Sequence, residues 1–394
     1  MQYIDQLDKS LLKNKKVFIR ADLNVPIDET GKVADDTRLT ASIPTIKYVI
    51  EAGGAVVLAS HLGRPKGKVN DKYSLKPIAH RLTELMGVDV IMASDCIGQD
   101  VLQKAQSLKS GQILLLENLR FHNEEEDNDE QFAKQLSSLA DVYVNDAFAT
   151  AHRAHASTAG ITKFVNVKVG GFTLKDELEY FAKAFTNPKR PLVAIFGGAK
   201  VSTKMEALRN VGQNANRIII GGAMANTFFA AQGHGVGRSL YEPAEVQNAK
   251  EIKEHLEKIG CEIVLPIDVV VASELKSGLP THTVSIDSIP ETEMALDIGP
   301  KSIELFRSRL ADSQTIVWNG PMGAFEIVEF SSGTYAIVDI LMSSKALTVV
   351  GGGDTDRALH DRHAMDKMGY VSTAGGAFLE LLEGKTLPAV AALN

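Results

Sequence analysis

The sequence predicts an α/β chain made of two doubly wound parallel-sheet, Rossmann-like domains joined by a hinge helix. Three observations carry that expectation. Short, near-continuous apolar runs recur along the 394 residues, the pattern of strands buried on both faces. Each run breaks into a polar or glycine turn and then into helical spacing, the alternation that parallel sheets require. The rhythm stops once, near the middle, in a chain longer than one hydrophobic core usually supports.

In chain order, the first set of strands is KVFIRADLNV, AVVLASHLG, QILLLENLRF and DVYVNDAFA, all before residue 150. Next comes GGFTLKDELEYFAKAFTNPKRP, where Leu174, Leu178, Phe181 and Phe185 recur at helical spacing and Asn187-Pro188 ends the run. Bounded by Gly170-Gly171 and a proline turn, residues 172–187 read as the connector between a domain 1–171 and a domain 188–377. The second set is PLVAIFGGAK, RIIIGGAMAN, EIVLPIDVVVA, TIVWNGPMG, LTVVGGGDT and YVSTAGGA. The acidic run HNEEEDNDEQF reads as a solvated loop opening a helix, with no function.

Composition excludes several classes. Forty-two Lys and Arg against 49 Asp and Glu give a formal charge of −7, so no nucleic-acid or membrane footprint is expected for the whole chain. Cys96 and Cys261 are far apart and outside any metal-binding spacing, which fits buried small hydrophobes in a reducing compartment. No targeting segment and no apolar stretch of membrane-spanning length is seen, and a cytoplasmic location is expected.

Ligands of open α/β sheets bind outside the carboxyl ends of the strands. In the first half those positions hold Arg20, Asp22 and Asn24; His61 and Arg64; Glu117, Asn118 and Arg120; and Asn145, Asp146, His152 and Arg153, with Arg38 a little further on. A lone arginine is ordinarily a solvated surface charge. Basic groups after four strands would all collect on one sheet edge, and the arginine fork suits phosphate and carboxylate. The expectation is a pocket for a small molecule with several anionic groups, with Asp22 and Asn24 on its hydroxyl. His152 and His155 are expected to orient anions or cap a turn.

In the second half the strand ends are glycine, which allows close backbone approach and leaves amides of a following helix free for phosphate. Such turns often need glycine anyway, yet five in one domain point to a nucleotide. Lys200 and Lys204, four apart at the start of an expected helix, would share one face. Asp354 would hold Mg²⁺ as one carboxylate ligand, Thr355 would cap the helix or donate to phosphate, and Glu326 would accept from ribose hydroxyls. Neither phosphate-loop nor dinucleotide fingerprint occurs, and the first turn, RADLNVP, argues against a nicotinamide-dependent dehydrogenase.

The motifs RADLNVP, HLGRP, LLENLRF, NDAFATAHRAHAST, GGAKVSTK, WNGPMGAFE and GGGDT, in this order, resemble those of the phosphoglycerate kinase family. The resemblance runs to FLELLEGKTLPAV near the end. It implies a two-domain enzyme passing a phosphoryl group between 1,3-bisphosphoglycerate and Mg-ADP, and it implies that the segment 378–394 returns to the first domain. Carried onto this chain, the acid-substrate site falls on Asp22, Asn24, Arg38, His61, Arg64, Arg120 and Arg153. The nucleotide site falls on Lys200, Lys204, Gly299, Asn319, Glu326, Gly352, Gly353, Asp354 and Thr355. Arg38, Lys200 and the amides near Gly375 and Gly376 would flank the transferring group. Partners are then small molecules alone, in a monomer. The sequence departs from the family pattern at Ala374, where a third glycine is common, and at Asp356-Arg357, where small apolar residues are usual.

Overall fold

The computed structural model describes all 394 residues and divides into two compact units, Met1–Leu178 with Thr386–Asn394, and Glu179–Lys385. In the first unit, strands β1 (Lys16–Ala21), β2 (Ala55–Ala59), β3 (Val90–Met92), β4 (Ile113–Leu115), β5 (Val142–Asp146) and β6 (Val167–Gly170) form one sheet in the order β3-β4-β2-β1-β5-β6. Every pairing in it is parallel. β2, β4 and β5 are buried at every residue, because helices cover both faces of such a sheet.

The second unit repeats the plan. Its strands are β7 (Leu192–Phe196), β8 (Arg217–Ile220), β9 (Glu262–Val264), β10 (Asp268–Ala272), β11 (His282–Ser285), β12 (Met294–Ile298), β13 (Thr315–Asn319), β14 (Leu347–Gly351) and β15 (Tyr370–Ser372). Six of them make a parallel sheet in the order β15-β14-β13-β7-β8-β9. The other three form an antiparallel sheet, β11-β10-β12. The segment EIVLPIDVVVA is therefore two strands in two sheets, since Pro266 falls between β9 and β10 and proline cannot continue a ladder.

The connector is an α-helix, Phe172–Phe181, that loosens into a π turn, Ala182–Thr186. Asp146 at the end of β5 anchors its start, accepting from the Thr173 and Leu174 amides at 2.8 and 3.3 Å. The division between units falls inside this helix rather than at residue 171. It falls again at Lys385 rather than at 377, because the helix Gly375–Leu382 buries Phe378 and Leu382 in the second unit's core. Only the last residues belong to the first unit, where the Ala389 amide donates to the Ala151 carbonyl at 3.1 Å.

Candidate active site in two halves

In the first unit β1 lies between β2 and β5, so the sheet order reverses there, the point at which open α/β sheets take their ligands. The chain leaving β1 carries Asp22, whose Oδ2 meets Arg38 Nη1 at 2.9 Å. The same nitrogen donates to the Asn24 carbonyl at 3.0 Å. Asn24 Oδ1 accepts from the Gly63 amide at 2.9 Å, and the Gly63 carbonyl accepts from Arg120 Nη1 at 3.0 Å. Asp22, Asn24, Arg38 and Arg120 thus form one bonded chain across the turns that follow β1, β2 and β4.

His61 is buried at the end of β2, with Nδ1 3.3 Å from Arg20 Nη2. Burial, with Arg20 and Arg120, pushes its pKa well below the ordinary imidazole value. Burial and the guanidiniums of Arg20, Arg120 and Arg153 likewise bring His155 down to about 3. Both rings are neutral at neutral pH. Burial is the larger cause at both rings and the surrounding guanidiniums add to it, so the cluster keeps a positive character that a bound polyanion would meet. Arg153 and Arg64 are exposed on the turns after β5 and β2; Arg64 shares none of these bonds.

Beneath the cluster lies a layer of which the sequence revealed only Arg20. Arg20 is fully buried and donates through Nε to Ser157 Oγ at 2.8 Å and through Nη1 to the Ala21 carbonyl at 2.5 Å. Ser157 donates to Glu125 twice, from its hydroxyl at 2.5 Å and its amide at 2.9 Å. Glu125 has no exposed surface, so the reading of its acidic run as a solvated loop fails at this residue. It supplies the buried negative charge that Arg20 needs. Asn118 shapes the neighbouring turn, accepting from the Arg120 amide and donating to the Leu62 and Tyr73 carbonyls.

In the second unit the sheet order reverses between β7 and β13. Lys204 closes that point, donating to the Gly197 carbonyl at 2.7 Å and the Asn319 carbonyl at 2.9 Å. Burial lowers its pKa to about 8, opposed by the Asp354 carboxylate. Gly320 has to be glycine here, since its φ is +101° and a Cβ would stand 2.3 Å from the Gly197 oxygen. Lys200 differs from the expectation. It precedes the helix Met205–Gly212 and the short turn Ser202–Lys204 instead of sharing a helical face with Lys204. It is exposed, and its charge bears on Glu242.

Two helices start side by side at the carboxyl ends of β14 and β15. Gly352, at φ +111°, caps the helix Gly353–Asp361, and Ala374 caps the helix Gly375–Leu382. A Cβ on Gly375 would lie 4.0 Å from Gly352 Cα and the Gly353 nitrogen. The first amides of both helices have no partner within their own helix, which favours phosphate there. Gly353, Asp354, Gly375 and Gly376 are exposed. Asn319 Nδ2 bonds the Gly351 carbonyl at 2.8 Å. Thr355 does not cap the helix: its buried hydroxyl donates to the Gly351 and Gly352 carbonyls, both at 2.8 Å.

Ala374 sits at φ −120°, a conformation any residue adopts, so its methyl brings no strain. Arg357 lies over the Phe325 ring at 5.7 Å, next to exposed Glu326. Gly299 is buried, caps the helix Pro300–Leu310 and receives no bond from the Gly352 region. A slot lined by Ala225, Phe229, Val269, Ala295 and Met322, with Asn226 and Asp297 as polar groups, opens in the same unit. It is narrow and mostly apolar, and only the topology brings its residues together.

A cation cluster at the edge of one parallel sheet, and paired glycine helix starts at the edge of another, define a two-domain phosphotransferase for small phosphorylated molecules. Residues 5–385 match the family model described as phosphoglycerate kinase. The chain is 50% identical to the phosphoglycerate kinase of Pelobacter propionicus over its whole length and 98% of that protein, and 51% identical to the chloroplastic one of Volvox carteri over 99% of this chain and 86% of that protein. The phosphoglycerate kinase structure from Coxiella burnetii superposes with a TM-score of 0.90 at 41% identity, covering 99% of this chain and 98% of that one. The chain belongs to the phosphoglycerate kinase family, and its substrates are accordingly small molecules. No helix is long and apolar enough to cross a membrane.

Proposed function

We propose that the protein passes a phosphoryl group reversibly between 1,3-bisphosphoglycerate and ADP, yielding 3-phosphoglycerate and ATP, as a cytoplasmic monomer. The observation that carries this reading is the bonded chain Asp22–Arg38–Asn24–Gly63–Arg120 around two neutral histidines. Asp22 and Asn24 would take the substrate hydroxyl, and Arg38, His61, Arg64, Arg120 and Arg153 its phosphate and carboxyl groups. The second unit would take the nucleotide. There Gly352, Gly353 and the Thr355 amide would meet phosphates, with Lys200, Lys204 and Asn319, while Glu326 would serve the ribose and Gly299 would line the pocket.

Asp354 fits a magnesium ligand. It is exposed in the first turn of its helix, and a Cβ on neighbouring Gly353 would meet nothing within 4 Å; one carboxylate suits an ion that keeps its waters and phosphate oxygens. Mg²⁺ bound with the nucleotide would neutralise charge on the phosphates. Phosphoryl transfer otherwise asks the protein for position and positive charge rather than a nucleophile. Arg38, Lys200 and the amides of Gly375 and Gly376 are the groups we assign to the transferring phosphoryl. Because acid and nucleotide sites belong to different units, the two bound ligands would have to be brought together for transfer, and we assign the segment 172–187 as the hinge for it.

Replacing Lys200 with Ala tests the assignment. Turnover should fall by at least about 100-fold, while calorimetric titration with 3-phosphoglycerate should give a Kd within about twofold of the wild type, since that ligand binds the other unit. Equal loss of turnover and of 3-phosphoglycerate binding would refute the division of roles.

A further inference from the structure

Asp95 and Cys96, on the loop after β3, meet His122, on the turn after β4, away from any role assigned above. His122 Nε2 lies 2.7 Å from Asp95 Oδ1, and the carboxylate oxygen, thiol sulfur and ring nitrogen all stand within 4.8 Å of one another. Cys96 is fully buried behind the pair, whereas the Asp95 and His122 side chains are 45% and 24% exposed. The His122 ring packs against Phe132, with centroids 5.4 Å apart, so its plane is held.

We propose that Asp95, Cys96 and His122 form a binding site for a borderline-soft divalent cation of the zinc class, with the fourth position open to solvent. The donor set decides the class. Sulfur, imidazole and carboxylate together suit Zn²⁺, whereas Mg²⁺ takes oxygen ligands. Bonds of about 2.0–2.3 Å to a tetrahedral ion put the donors roughly 3.3–3.8 Å apart. The tightest pair here is closer than that, at 2.7 Å, and no pair exceeds 4.8 Å, so side-chain adjustments of about 1 Å form the site. Binding displaces the proton shared by His122 and Asp95 and releases the Cys96 thiol proton to solvent. Without a cation, burial and Asp95 hold that thiol well above its ordinary pKa, which leaves it unreactive at neutral pH.

The test is titration of the intact protein with CoCl₂ in the absence of nucleotide, followed by ZnCl₂. One equivalent of cobalt should bind with a near-ultraviolet thiolate charge-transfer band and tetrahedral visible bands, and zinc should displace it. Cys96→Ser should lose the band while keeping its fold and activity, and His122→Ala should weaken zinc binding by roughly 100-fold. Binding without a thiolate band, a band that survives in Cys96→Ser, or no binding at millimolar metal would each overturn the proposal.

Discussion

Glu125 is fully buried, so its removal should be costly. Its carboxylate accepts from the Ser157 amide and hydroxyl at 2.9 and 2.5 Å, and through that hydroxyl it faces Arg20. Hydrogen bonds to a charged group are worth about 1.5–3 kcal/mol each, and breaking a buried charge pair costs about 3–5 kcal/mol. Glu125→Ala should therefore destabilise the first unit by about 3–5 kcal/mol, which in a unit of this size lowers its melting point by roughly 10 °C. Glu125→Gln, which keeps the acceptor for the Ser157 amide but loses the charge, should fall between. The assay is thermal unfolding followed by circular dichroism and by tryptophan fluorescence. Trp318 is the one tryptophan and lies in β13 of the second unit, so its transition is an internal reference that should stay in place. A loss under about 1 kcal/mol in the Ala variant would show that Arg20 does not depend on this partner.

Three further outcomes follow from the same geometry. Gly352→Ala places a side chain at φ +111°, with its Cβ 3.0 Å from Thr355 Oγ1; strain of about 1–3 kcal/mol should weaken ADP binding in calorimetry and leave 3-phosphoglycerate binding unchanged, and an unaltered ADP affinity would contradict it. His155 titrates near 3 in the fold against an ordinary 6.5, so unfolding takes up a proton between those values and stability falls as pH drops from 6.5. Its share of that slope, at most about 1.4 kcal/mol per pH unit, should vanish in His155→Asn, and urea midpoints that fall with pH as in the wild type would refute the assignment. Truncation after Lys385 removes Leu387 and Leu393, 2% and 4% exposed in the first unit; at about 2–5 kcal/mol for each buried leucine, that unit should lose its cooperative transition, whereas an unchanged melt would show that the tail contributes nothing.

The strand ends could be read from the chain because parallel strands are continuous apolar runs, and the residue after each run is forced to the sheet edge. His61 and Arg120 were found that way, whereas Arg38 sits in the helix that starts at Thr37. Glu125 could not be, since one buried acid among Glu124, Glu126 and Asp127 has no local mark and is selected only by the arrival of Ser157 from 32 positions along the chain. The same limit hid the split at Pro266, where one apolar run serves two sheets, and the Thr355 hydroxyl, which its own loop's carbonyls occupy. Spacing also misled at Lys200 and Lys204. Four residues share a face only within a helix, and the α-helix here starts at Met205, after both lysines and a short 3-10 turn.

The division of labour between the units is tested most directly by turnover of the purified protein with ATP, Mg²⁺ and 3-phosphoglycerate, read through a coupled reductase that consumes the acyl phosphate, omitting each component in turn. Turnover that requires all three, and that is lost in Arg38→Ala and Lys200→Ala alike, is the expected result. ATP consumption that continues without 3-phosphoglycerate, or that survives the loss of Arg38, would contradict it.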